Sequence, residues 1–184
     1  MKQIIQTVSD EIRHVLSTIE AVQAAELSDH LFSAPRVFVS GEGRSGLMGK
    51  AFAMRLMHAG FTVYVTGETI TPSIEKGDLL VVISGSGSTQ SLHQFARQAK
   101  EAGAVVAAVT TNPQSVIAEG SDLTLVVPAA TKKRLPEEPD TIQPLGNQFD
   151  QSVHLLLDAV IIHAVQQQEG HTHEQMAKRH ANLE

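Results

Sequence analysis

The chain has 184 residues, a formal net charge of −6, 4% aromatic residues and no cysteine. That length suits one domain with a full core rather than two. The acidic balance argues against nucleic acid as a partner and the few aromatics against base stacking, while the absence of cysteine excludes disulfides, thiolate catalysis and cysteine-based zinc sites.

Residues 3–32 place Ile4, Ile5, Val8, Ile12, Val15, Leu16, Ile19 and Val22 at helical spacing. Such a stripe must be buried against the outside of a sheet or another subunit. Pro35 closes this region, and Arg36 to Ser40 reads as a first strand. The glycine-rich stretch Gly41-Glu-Gly-Arg-Ser-Gly46 then leads into a helix ending near His58. Phe61 to Thr66 gives a second strand, followed by a loop with Gly67, Glu68 and Pro72. Leu79 to Ile83 is a third strand, ahead of a helix from Gln90 to Ala102. Ala104 to Thr110 is a fourth, and a short helix spans Ser115 to Ala118. Leu123 to Val127 is the fifth. Residues 128–147 carry four prolines in a long connection of a kind that is often functional. Phe149 to Gln168 returns to helical spacing, and a polar tail ends at Glu184. No apolar run approaches the roughly 20 residues of a membrane span, and no signal-peptide core opens the chain. The expectation is a cytoplasmic protein without a membrane partner.

Five strands alternating with helices predict an α/β, three-layer, doubly wound parallel sheet in the flavodoxin-like order 2-1-3-4-5. It forms a single domain: an N-terminal helical region over 1–34, the sheet core and long loop over 35–147, and a C-terminal helix and tail over 148–184. In that order strands one and three are neighbours, so the loops after Ser40 and Ile83 face one crevice.

The most informative stretch is Asp78-Leu-Leu-Val-Val-Ile-Ser-Gly-Ser-Gly-Ser-Thr89. Its apolar run lacks in/out alternation, as a strand buried on both faces does. It stops at four hydroxyls in six residues, Ser84, Ser86, Ser88 and Thr89. A helix start beyond such a loop offers unpaired amides and partial positive charge, which suit a phosphate. Gly41-x-Gly43-x-x-Gly46 also spells a dinucleotide fingerprint, with Glu68 placed for a ribose hydroxyl. A second anion loop on strand three does not belong to that pattern. A P-loop fails on spacing, and Ala51 stands where its magnesium-binding hydroxyl would be. Ser45 and its neighbouring amides are left as binders of sugar or phosphate atoms. The ionisable candidates are Glu42, Arg44, His58, Glu68, Asp150 and His180. His58 lies on an otherwise apolar helix, where a buried histidine is equally at home. Asp150 opens the last long helix, where a carboxylate also suits the dipole. His171 and His173 lack a third ligand for zinc and read as solvated.

Taken together, these segments resemble the 6-phospho-3-hexuloisomerase family. The resemblance rests on Gly41-Glu-Gly-Arg-Ser-Gly46, Ala51-Phe-Ala-Met-Arg-Leu-Met-His58, Gly67-Glu-Thr-Ile-Thr-Pro72 and Ser84-Gly-Ser-Gly-Ser-Thr89. It also rests on Pro144-Leu-Gly146 with Phe149 and on the ending Arg179-His-Ala-Asn-Leu-Glu184. The serine loop alone marks the broader sugar-isomerase (SIS) fold, whereas the ending and the Gly-Glu-Thr-x-Thr-Pro loop are more specific. The resemblance implies interconversion of D-arabino-3-hexulose 6-phosphate and fructose 6-phosphate in the ribulose monophosphate route of formaldehyde assimilation. It further implies a homotetramer, without metal or organic cofactor, whose active sites lie near subunit interfaces. Members of that family usually carry Glu where this chain has Asp150.

Such a reaction needs a base and a second group that shuttles protons through an enediol. The expected assignment has Ser45, Ser84, Ser86, Ser88 and Thr89 at the phosphate, with Gly43 in the adjoining turn. Asp150 serves as base and His180 as partner acid/base, with His58 a further candidate. Arg44 and Glu68 orient hydroxyls, or Glu68 takes the base's role. The alternatives are a sugar-phosphate sensor of the same fold, which binds without turnover, or an SIS isomerase acting on another sugar phosphate.

Overall fold

Unbroken apolar runs form a sheet that is covered on both faces. The computed structural model describes residues 1–167 and 173–182. Two helices, α1 (Lys2–Ser17) and α2 (Ala21–Ser33), precede β1 (Val37–Gly41) and α3 (Gly43–His58). Next come β2 (Val63–Val65), β3 (Leu79–Ile83), α4 (Gln90–Glu101) and β4 (Val105–Thr110). The chain continues through α5 (Val116–Glu119), β5 (Leu123–Val126), α6 (Asn147–Gln166) and α7 (His173–Lys178). The sheet has five strands in the order β2-β1-β3-β4-β5. All four pairings are parallel, as the sequence predicts.

Successive side chains of β3 go to opposite sides. Leu79, Val81 and Ile83 join a core built with α1, α2, α3 and α6, through Val15, Leu27, Leu31, Phe52, Leu56, Phe149 and Leu157. Leu80 and Val82 join a smaller core with α4 and α5, through Leu92, Ala96, Ile117 and Ala118. Both faces of β3 are therefore dry, and a polar residue would be costly at any of its positions. This explains the missing alternation.

Three local details go beyond the sequence reading. The glycine-rich stretch after the first strand is hardly a loop, because β1 runs to Gly41 and α3 begins at Gly43. The N-terminal helical region is two helices. The Ser17 hydroxyl donates to His14 O (2.7 Å) and the Thr18 hydroxyl to Val15 O (2.8 Å), taking up carbonyls at the end of α1. Its apolar stripe is split as well: Ile12 and Val15 are buried, whereas Ile4, Ile5 and Val22 stay exposed. Finally, the polar tail contains α7. Beyond it, Arg179 Nη1 donates to the carbonyl of His58 at 3.3 Å. His171, Leu183 and Glu184 lie outside the described residues.

At the end of the sheet where the strands begin, Arg36 and Asp78 join β1 to β3. Arg36 Nε donates to Asp78 Oδ1 at 2.9 Å and Nη2 to Oδ2 at 2.5 Å, and the Glu75 amide donates to Oδ2 at 2.7 Å. The Asp78 side chain is 2% exposed and that of Arg36 22%. A bidentate geometry with the acceptor's remaining capacity filled makes such a pair worth keeping. Asp78→Ala should cost about 2–3 kcal/mol, below the full figure for a buried pair because Arg36 keeps some water. Urea unfolding is the check, with a lower midpoint and an unchanged slope expected.

Candidate active site

Gly41 lies opposite Ile83 in the register of β1 and β3. The N-termini of α3 and α4 consequently open side by side at the carboxyl ends of these strands, where ligands bind in such sheets. Between them lies a cavity of about 350 Å³, within the range of small-molecule sites.

One wall is the serine loop. Ser84, Ser86 and Thr89 line the cavity. Thr89 is the N-cap of α4, yet its hydroxyl makes no capping bond and instead lies 3.4 Å from the Ser84 hydroxyl. The first amides of α4 thus lack a side-chain partner from their cap and remain available to an anion. The loop holds its shape through Gly87, whose φ is +59°. A Cβ there would fall 1.9 Å from Ser115 Oγ, so glycine is required twice over. Ser88 turns away, its hydroxyl donating to Ser86 Oγ at 3.1 Å, and it does not line the cavity.

The facing wall comes from α3 and α6. Close contact at the start of α3 depends on Gly46, where a Cβ would approach Gly41 O to 2.6 Å. Arg44 and Ser45 line the cavity from the first turn of α3, and Asp150 from the first turn of α6. The Ser45 hydroxyl donates to Asp150 Oδ1 at 2.7 Å, and Arg44 Nε lies 3.7 Å from Oδ2. Asp150 is 5% exposed. Burial pushes its carboxyl above the usual range, with the Ser45 bond and the Arg44 charge pulling the other way. Ser45, expected beside the phosphate, is therefore committed to the carboxylate.

The remaining wall is the long connection after β5, which supplies Thr131, Lys132, Pro144, Leu145 and Gly146, with Asn147 opening α6. Glu42 lines the rim and accepts a bond from the Ser91 hydroxyl of α4. Lys132 and Asn147 escaped the sequence reading. The only signal was the length and proline content of their segment.

Four other candidates lie elsewhere in the subunit. Gly43 starts α3 with φ +56° but does not line the cavity. Glu68 is half exposed and paired with Lys50 at 2.6 Å, outside the cavity. His58 is buried at the far end of α3, roughly 22 Å along a helix of 16 residues from its start. Its ring stacks on that of His180, with centroids 5.2 Å apart. Burial, then the Arg55 and His180 charges, lowers the pKa of His58. The two histidines meet each other, then, and not the cavity of their own subunit. Among the described residues no group of three or more His, Asp or Glu is placed to hold a metal ion, and His173 is exposed. No helix among them is long and apolar enough to cross a membrane.

Comparison with known proteins gives this geometry a family. Residues 30–138 match the SIS domain. A 3-hexulose-6-phosphate isomerase of Bacillus subtilis is 42% identical over 175 residues, covering 95% of this chain and 94% of that protein. One from Mycobacterium gastri is 42% identical over 180 residues, covering 96% of this chain and 88% of the relative. The crystal structure of a Methanococcus jannaschii protein, inferred to be a 3-hexulose-6-phosphate isomerase, superposes with a TM-score of 0.82. It is 34% identical, and the match covers 100% of both chains. The chain thus belongs to the SIS-domain family of sugar-phosphate isomerases, in the group of the 3-hexulose-6-phosphate isomerases.

Proposed function

We propose that this protein interconverts D-arabino-3-hexulose 6-phosphate and fructose 6-phosphate by proton transfer through an enediolate. The observation that carries this reading is the shared cavity. A desolvated carboxylate, Asp150, lines the same 350 Å³ space as the hydroxyls of Ser84, Ser86 and Thr89. The phosphate takes the serine loop and the first turn of α4, and the sugar carbons extend toward Asp150. Moving the carbonyl from C3 to C2 removes the proton at C2 and returns one at C3. Asp150 is the base, and its raised pKa brings it closer to a carbon acid's needs than an ordinary carboxylate. Ser45 fixes one carboxylate oxygen, leaving the other toward Arg44 and the substrate. Arg44 and Lys132 stabilise the negative charge that develops on the enediolate oxygens. Aspartate in place of the family's usual glutamate draws the carboxylate back by one methylene, and the bond from Ser45 defines where it stands.

The second acid/base is His180, offered to the cavity of a neighbouring subunit within a homotetramer. A full α3 length separates it from the cavity of its own chain, which supports this arrangement. The exposed apolar residues Leu47, Met54, Leu155 and Ile162 on α3 and α6 support assembly. The chain works as one domain over 1–184, in the cytoplasm, in the ribulose monophosphate route.

Incubation with fructose 6-phosphate in deuterated water tests the reaction itself. The isomerase should incorporate deuterium at C3, whereas a sensor should bind the sugar phosphate and leave its carbon-bound protons in place. Absence of both exchange and binding would discard the proposal. The sign of the Asp150 shift gives a second test. A base must be ionised, so kcat/KM should fall as pH drops through a pKa above the ordinary carboxylate value. Ionising a buried carboxylate also removes stability as pH rises from its unfolded to its folded pKa. Asp150→Asn should therefore lose at least about a hundredfold in turnover while melting no lower than wild type at pH 7. Below the carboxylate range that stability difference should vanish. Subunit mixing tests the tetramer: Asp150→Ala and His180→Ala chains, each inactive, should regain activity when reassembled together. No recovery would place both groups in one chain.

A further inference from the structure

The N-terminal helix α1 holds a carboxylate whose partners all lie on the far side of the chain. Glu11, half-buried, accepts the Ile142 amide at 2.8 Å on Oε1. On Oε2 it accepts Gln143 Nε2 at 2.9 Å and the Thr141 hydroxyl. Burial opposes its ionisation, but these bonds, with Arg134 nearby, prevail and lower its pKa. Three donors converging on one carboxylate form a charge-assisted clamp.

What the clamp holds leads straight to the cavity. Gln143 is 3% exposed. Its Oε1 accepts Asn147 Nδ2 at 2.8 Å and Gln151 Nε2 at 3.2 Å, both on the first turns of α6 around Asp150. Its carbonyl accepts the Arg134 guanidinium. Immediately after Gln143 come Pro144, Leu145 and Gly146, the wall of the cavity, with Leu145 at φ +52°. The Asp150 amide in turn donates to Gly146 O at 3.0 Å. A non-glycine residue in the left-handed region persists only where its surroundings enforce it. The residues matching the SIS domain, 30–138, include neither Glu11 nor the segment it grips. The two extensions of the SIS core thus meet at this carboxylate.

We propose that Glu11 is a positioning residue for the active site, setting the Pro144–Gly146 wall and, through it, the place and dryness of Asp150. The role rests on the isomerase reading for its kinetic consequence, though not for its structural one. Without the clamp the wall loosens, water reaches Asp150, and the carboxylate moves relative to the sugar. A displacement of about 1 Å at a reacting group is enough for a large loss.

The test uses the full chain, with Glu11→Ala compared with wild type and with Glu11→Gln. The amide keeps the side chain's size and one acceptor oxygen, so Glu11→Gln should lie between the other two and serves in place of Glu11→Ala should that variant not fold. Two readouts are taken: kcat and KM for the hexulose phosphate, and the titration of the Asp150 carboxyl carbon by NMR. We expect kcat to fall by about tenfold or more with a smaller change in KM, and Asp150 to titrate closer to an ordinary aspartate. A folded variant with wild-type kcat, or with reduced kcat and an unmoved Asp150 titration, would overturn the proposal. Should wild type itself turn over no substrate, the function proposed above fails, and the NMR titration alone decides the role of Glu11.

Discussion

Everything at the site follows from β1 lying beside β3 in parallel, with Gly41 opposite Ile83. Each strand is followed closely by a helix, so this single pairing brings two helix N-termini to one edge of the sheet. A parallel neighbour is the only arrangement in which both loops leave in the same direction. Had β3 paired elsewhere, the serine loop and the start of α3 would each be an isolated turn. The sheet holds the register because β3 is buried on both faces, where a slip would exchange the contents of two cores of different size.

The cavity combines two opposed electrostatic demands. The serine loop and the start of α4 favour an anion, whereas Asp150, a few residues into α6, is an anion kept short of water. A phosphate and a carboxylate repel one another unless distance or cations intervene. Two cationic side chains, Arg44 and Lys132, line the same cavity, and Arg44 Nε lies 3.7 Å from Asp150 Oδ2. The SIS core contributes the serine loop and the starts of α3 and α4. The carboxylate itself comes from α6, which with residues 139–146 before it lies outside the residues that match the SIS domain, while its partners Arg44 and Ser45 lie inside them. The core that carries the serine loop thus meets, across one cavity, a carboxylate drawn from beyond it.

The strand order and the serine loop were legible because their signals are local. Apolar runs without alternation mark dry strands, and hydroxyls interleaved with glycine mark the loop that lines the cavity at the end of β3. The bond between Ser45 and Asp150 joins residues 105 apart in sequence, and no local pattern announces it. The same holds for Glu11, whose partners are 130 to 132 positions away. Asp150 stood out only through resemblance, since an acidic residue on a first helical turn is also what the helix dipole favours. Glu68 and His58 were drawn toward the site by their place in glycine-rich or motif-like segments. One is paired with Lys50, and the other lies, with His180, at the end of α3 away from the cavity of its own subunit.

Arg36 and Asp78 sit where β1 and β3 begin, and the cavity sits where they end. A strand of five residues separates the two by roughly 17 Å. The fold's most fully buried ion pair among the described residues is therefore insulated from the chemistry by the whole depth of the sheet. Stability and the cavity occupy opposite poles of the sheet. A change in the cavity-lining loops at one pole leaves untouched the rivet that keeps the strands in step at the other.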